Sequence, residues 1–209
     1  MSDAVVLTFA ELAFLLRSGV AAADAVRLRL HLGPESATDV AAAAGVSSLL
    51  ARGLCTQEGT EVRPGNLAVG VVAALSTVHT ITDATTQIGG RPVVLHIFTG
   101  ERARLIAAPG FMGQYSIEVR PAAEPLAGLL DDLVTRAAEA GGEVAVVLRS
   151  TDPAGEERVS LAAARDALGD WYLSDTERSP DRGRPVPRAE VARRIGQLFG
   201  DAPVGAGRR

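Results

Sequence analysis

Four short runs that favour β-strands follow one another between residues 77 and 120, separated by short turns that contain glycine, and the last run alternates cleanly between polar and apolar residues. The clearest runs cover residues 91–98 and 114–120. Alternation with a period of two places successive side chains on opposite faces of a β-strand. Strands joined by such short turns pair with their neighbours in the chain, so the segment predicts an antiparallel β-meander. This meander is the strongest constraint on the fold.

A helix-start signal lies near the beginning of the chain, after an apolar run at residues 5–7 that predicts a strand. Thr8 and Glu11 have the spacing of a capping box, in which each side chain hydrogen-bonds the main-chain N–H of the other residue. The leucines that follow are spaced to lie on one face of a helix. Residues 20–32 combine an alanine-rich start with an alternating end, which predicts a helix that turns into an extended piece.

Further helices are predicted on both sides of the meander. The patterns place them at residues 38–44 and 47–52, which meet at Gly45, at residues 66–75 with Asn66 as the N-cap, and at residues 122–140, 160–168 and 188–199. Residues 144–148 predict one more strand. Helices grouped against an antiparallel sheet define an α+β fold, with a central sheet flanked by helices. We expect one domain over residues 1–200 and a disordered tail over residues 201–209.

The composition removes several routes to catalysis. All 21 basic residues are arginine, so a phosphate-binding loop lysine or a Schiff-base lysine has no candidate. A single cysteine, Cys55, excludes an intramolecular disulfide and a cysteine-based zinc site. His31, His79 and His96 are far apart in the sequence and carry no partner at metal-ligand spacing. We therefore expect a protein that is not an enzyme, with no cofactor and no metal.

The charge distribution bears on partners and location. The net charge is −4, and an acidic domain repels nucleic-acid phosphates unless its arginines concentrate on one face. The first residues lack the basic start of a signal peptide. No apolar stretch approaches the ~18 residues that a membrane span requires. These features predict a cytoplasmic protein without a membrane partner, for which nucleic acid is a disfavoured partner; a homodimer stays open.

Residues 38–62 nevertheless have the order of a winged helix–turn–helix. In that interpretation the helix at 47–52 would enter the DNA major groove, and the turn at Glu58 and Gly59 would be the wing. The helix offers one basic side chain, Arg52, whereas the wing carries Glu58 and Glu61, which would face phosphates. A transcriptional regulator with a carboxy-terminal α+β effector domain is therefore the alternative function.

The order of elements over about residues 5–150 resembles another family. A helix from Thr8, the segment Arg52-Gly53-Leu54, a helix that ends at Leu75 and the hairpin at Gly89-Gly90-Arg91 are together similar to the EspG family. EspG proteins are cytosolic chaperones of ESX (type VII) secretion systems. The resemblance implies a central antiparallel sheet with flanking helices and pseudo-twofold halves. It also implies a function without chemistry, namely capture of helical secreted proteins such as PE–PPE heterodimers.

One loop of the meander is a candidate contact surface for such a client. Residues 107–113 connect two predicted strands and place Phe111 and Met112 at the tip of the loop. An exposed Phe-Met pair suits capture of an apolar helix end, because the methionine side chain adapts to varied shapes. The alternative is that both side chains fold back and complete the core.

Overall fold

The structure is a computed structural model that describes residues 4–17, 20, 22–88, 90–174 and 183–200. Within these ranges the chain forms six α-helices, a large antiparallel sheet of eight strands and a separate two-stranded sheet. The predicted α+β class is confirmed. The tail predicted at residues 201–209 lies outside the described residues.

The elements are named in chain order. The helices are α1 (Phe9–Leu15), α2 (Ala23–Arg29), α3 (Asp39–Ala51), α4 (Asn66–Ser76), α5 (Leu126–Glu139) and α6 (Arg188–Phe199). The strands are β1 (Val5–Thr8), β2 (Cys55–Glu58), β3 (Glu61–Pro64), β4 (Thr80–Ile88), β5 (Arg91–Thr99), β6 (Ala103–Pro109), β7 (Gln114–Pro121), β8 (Val144–Thr151), β9 (Glu157–Arg165) and β10 (Trp171–Ser174). The large sheet has the order β1-β7-β6-β5-β4-β8-β9-β10, and β2 pairs with β3.

The predicted meander is present as strands β4 to β7, which lie side by side in chain order. Its first strand begins at Thr80, later than the predicted start at residue 77. Leu105 on β6 lies opposite Val119 on β7. Strand β1 adds to the outer side of β7 in antiparallel direction, with Val5 opposite Ile117.

The described chain groups into two compact units. The first contains the residues up to 82, 95–123 and 151–156, and the second contains 83–94, 124–150 and those from 157 onward. The single domain expected over residues 1–200 stays a prediction.

The core of the first unit lies on one face of strands β1, β7 and β6. Leu7, Leu105 and Ile117 on these strands are completely buried together with Leu12 on α1. The Tyr115 hydroxyl donates a hydrogen bond to the main-chain carbonyl of Leu30 at 2.7 Å. This bond ties the end of α2 to β7.

Helix α3 is continuous, so the predicted break at Gly45 is wrong. Gly45 lies inside the helix and is buried where α3 crosses α1. A Cβ atom placed on Gly45 would lie 1.9 Å from the main-chain oxygen of Ala10. Glycine is needed here because the two helix backbones touch, and not because the chain turns.

Two other expectations fail for related reasons. Residues 20–32 contain α2, but no strand follows it, because Val26 and Leu30 are spaced one helical turn apart and are both buried. Asn66 is the first residue of α4, and the N-cap is Gly65. At residues 20–32 the alternating pattern was weaker than the burial of Val26 and Leu30, whereas the N-cap of α4 lies one residue earlier than predicted.

In the second unit, α5 and α6 pack together and confirm the helices predicted at residues 122–140 and 188–199. The Arg188 guanidinium donates to Asp131 and Thr135 of α5, and it lies 5.7 Å from the centre of the Trp171 ring. These contacts join the start of α6 to α5 and β10.

The helix predicted at residues 160–168 is wrong, because this segment forms strand β9. Its alanines favour a helix in isolation. In the structure, however, Ala163 lies opposite Leu173 of β10, and Ala162 and Ala163 are buried. Strand pairing and burial therefore override the local preference for helix.

A Gly45→Ala substitution tests the helix crossing. We expect the free energy of unfolding to fall by about 1–3 kcal/mol, because the added methyl group forces α1 and α3 apart. The matched control is Gly128→Ala on α5, where an added Cβ meets no atom within 4 Å. The control should gain about 0.5–1 kcal/mol from helix propensity. Urea unfolding curves measure both changes, and equal behaviour of the two variants would contradict the crossing.

Candidate protein-binding surface

The loop between β6 and β7 presents two large apolar side chains to solvent. Phe111 is 83% exposed and Met112 is 82% exposed. The alternative in which they complete the core is therefore wrong. The loop is closed at its base by the Gly110 N–H, which donates to the carbonyl of Gln114 at 2.7 Å.

The backbone of this loop is strained at Met112. This residue has φ 54° and ψ 45°, and Gly113 follows with φ 70°. The left-handed region costs a residue with a Cβ atom about 1 kcal/mol or more. Strain at a position that is neither glycine nor buried is a recurrent feature of contact and switch segments. The loop thus holds both apolar side chains outward at a cost in backbone energy.

A strip of uncharged residues adjoins the loop on one face of the sheet. Val6, Ser116 and Ala108 lie opposite one another across β1, β7 and β6. Val6 is 45% exposed, Ser116 is exposed and Ala108 is half-buried. We call these three residues, together with Phe111 and Met112, the tip surface. It belongs entirely to the first unit.

The only arginine of the segment that suggested DNA binding is paired within the protein, and its side chain is 38% exposed. Arg52 Nη1 donates to both carboxylate oxygens of Glu11 at 2.8 Å, and its Nη2 donates to the carbonyl of Val6 at 2.8 Å. Ser48 Oγ donates to the same carboxylate at 2.8 Å. Arg52, the basic side chain of that segment, and Ser48 therefore both bind Glu11.

The Glu11 carboxylate is completely buried. Burial on its own raises the pKa of Glu11. Hydrogen bonds from the Thr8 N–H, Ser48 and Arg52, with the positive charge of Arg52, outweigh burial and hold the pKa below its ordinary value. The predicted capping box is present, because Thr8 Oγ1 accepts from the Glu11 N–H. The carboxylate stays charged in a buried position because three donor groups give it four hydrogen bonds.

The predicted wing is present as the β2–β3 hairpin. Glu58 forms an ion pair with Arg63 at 2.8 Å. The hairpin follows one continuous helix, α3, and not the two short helices predicted at residues 38–44 and 47–52.

The structure has further concave or polar features. The second unit has an open groove of about 770 Å³ between α5, the start of α6 and the turn from β9 to β10. Its lining mixes arginines with carboxylates and selects neither sign of charge. In the first unit, the rings of His31 and His96 lie 6.4 Å apart, although the residues are distant in sequence. In the part of the chain that the structure describes, no group of three His, Cys, Asp or Glu side chains could hold a metal ion.

Comparison with known protein families finds no model that matches the sequence, and comparison with curated proteins finds no significant match. Across the described ranges, no helix has both the length and the apolar character that a membrane crossing needs.

Glu11 was identified from the sequence as a capping residue, but its role as the centre of an ion-paired cluster was missed. Arg52 lies 41 residues further along the chain, and no local pattern connects the two. The sequence also placed Phe111 and Met112 in a loop correctly. It did not include Val6 and Ser116 in the same surface, because that requires the pairing of β1 with β7.

The lowered pKa of Glu11 predicts a pH dependence of stability. The unfolded carboxyl titrates near its ordinary pKa and the folded one below it, so the stabilisation is present above the ordinary value and is lost as pH falls through the folded pKa. We expect Glu11→Gln to lower the free energy of unfolding by about 2–3 kcal/mol at pH 7, because hydrogen bonds to a buried charge are lost. The difference from wild type should shrink as pH falls below about 4.

Urea unfolding at pH 7 and at pH 3.5 measures this dependence. Glu190→Gln is the control, since Glu190 is an α6 residue whose ion pair with Arg193 is at the surface. The control should leave the stability at pH 7 nearly unchanged. If Glu11→Gln lowers the free energy of unfolding equally at both pH values, the carboxylate charge is not the source of the stabilisation.

Proposed function

We propose that the protein is a non-enzymatic cytoplasmic chaperone or adaptor of an ESX (type VII) secretion system, similar to EspG proteins, and that it binds α-helical secreted clients at the tip surface. The observation that carries the proposal is the outward display of Phe111 and Met112 on a strained loop. Exposed adjacent large apolar side chains mark interaction sites. Among the residues that the structure describes, the other large exposed apolar side chains stand singly in sequence, as do Leu28 and Leu168.

A helical client fits this surface better than an extended one. The Phe-Met pair is exposed on a loop, and the residues Val6, Ser116 and Ala108 carry no charge, which suits the apolar end or face of a helix. Methionine fills irregular gaps and tolerates clients of different shape. An extended peptide would instead need free main-chain groups on a strand edge, and the carbonyl of Val6 on the nearby edge already accepts from Arg52.

The secretion context rests on the order of elements. The capped helix α1, the Arg52-Gly53-Leu54 segment, helix α4 and the meander follow in the order that suggested the EspG resemblance. We propose a PE–PPE-type pair, or another helical substrate of the same system, as the client. The DNA-binding alternative has less support, because α3 is unbroken and Arg52 is paired with Glu11.

Binding of a purified helical pair tests the proposal directly. The probe is the PE–PPE-type heterodimer or helical secreted pair encoded beside the gene for this chain, and calorimetry gives the dissociation constant. We expect Phe111→Ser/Met112→Ser to weaken binding at least tenfold, because central apolar anchors supply most of the energy at such interfaces. Leu168→Ser is the matched control, as Leu168 is 89% exposed on another turn.

The control should bind as tightly as wild type, and thermal melts should show all three proteins equally folded. Equal affinity of the double variant and wild type would place the client elsewhere. Specific nanomolar binding of genomic DNA fragments at physiological salt, with no binding of the helical pair, would contradict the chaperone function.

A further inference from the structure

The outer edge of β1 is the first edge of the described sheet. In an antiparallel pair, residues alternate between those whose main-chain groups face the partner strand and those whose groups face away. Val6 C=O accepts from Arg52, and Thr8 N–H donates to Glu11 Oε2 at 2.7 Å. Val6 and Thr8 are thus the outward residues of β1, and each has one main-chain group occupied by a side chain.

A free strand edge is a template for pairing with another chain. Proteins protect such edges with charged residues, proline, bulges or a covering element. The four residues of β1, Val5-Val6-Leu7-Thr8, include no charge and no proline, and Val6 is 45% exposed. The strand itself therefore lacks protection, and its valines favour sheet pairing.

Arg52 contacts Glu11 and the edge of β1 through different nitrogen atoms. Nη1 alone donates to both oxygens of the carboxylate, so neutralising the buried charge does not require Nη2. Nη2 is directed to the Val6 carbonyl. An incoming antiparallel strand would need that carbonyl and the Thr8 N–H, and its backbone would have to occupy the position of the guanidinium.

We propose that the Arg52–Glu11 pair is an edge guard, which prevents β1 from pairing with β1 of a second copy of this chain. A second copy is the fitting occupant because an uncharged strand pairs with itself in antiparallel direction without like charges facing each other. Removal of the guard would join two sheets edge to edge across a twofold axis. This inference does not rest on the proposed chaperone function, because it needs neither Phe111 nor Met112, although Val6 belongs to both the strand edge and the tip surface.

Two variants open the edge in different ways. Glu11→Gln/Arg52→Met removes both charges, so no unpaired charge is left buried, and the methionine keeps the aliphatic part of the arginine. Arg52→Lys keeps a positive charge for Glu11, but a single ammonium group cannot reproduce both sets of hydrogen bonds. If the double variant does not fold, the lysine variant still tests the guard.

Light scattering after size exclusion and sedimentation velocity measure the association of each protein over a range of concentrations. We expect both variants to self-associate at least tenfold more tightly than wild type. Adding Val6→Pro should return them to the wild-type state, because proline lacks the outward N–H that strand addition uses. Circular dichroism verifies the fold of each protein.

Variants that are folded and associate no more than wild type would overturn the guard. Association that persists after Val6→Pro would also overturn it, since the copies would then meet through another surface.

Discussion

The buried carboxylate of Glu11 is the interaction on which the arrangement of the first unit depends. It accepts hydrogen bonds from Ser48 and Arg52 of the α3 segment and from the N–H of Thr8, where β1 ends and α1 begins. Three elements therefore share one charged centre. A buried charge with one donor removed is costly, so the cluster favours a single placement of α1 on α3. The backbone contact at Gly45 is possible only in that placement.

Much of the fold could be predicted because its signals are local. The meander is marked by alternation and glycine turns, and α5 and α6 by apolar stripes that fit one helix face. The start of α1 could be located from the spacing of Thr8 and Glu11. Each of these features depends on residues within a few positions of one another, where the period of two or 3.6 is visible in the sequence.

The remaining features depend on partners distant in the chain. No residue close to Gly45 in the sequence indicates that the main chain of Ala10 packs against it, so the local pattern predicts a helix break there. The alanines of β9 favour a helix in isolation, and pairing with β10 overrides this preference. Of the candidate site, the sequence could place Phe111 and Met112 in a loop, but the exposure of a side chain is decided by what packs over it. Val6, Ser116 and Ala108 could be grouped only once the register of their strands was known.

Polar and apolar groups thus have different roles in the first unit. Arg52, which the DNA-binding interpretation assigned to DNA, is paired with Glu11, whereas Phe111 and Met112 of the tip surface are exposed to solvent. Hydrogen–deuterium exchange of the protein with and without the helical secreted pair tests this claim most directly. The account predicts slower exchange in peptides covering residues 106–116. Unchanged exchange there, with slowing confined to α3 and the β2–β3 hairpin, would contradict it.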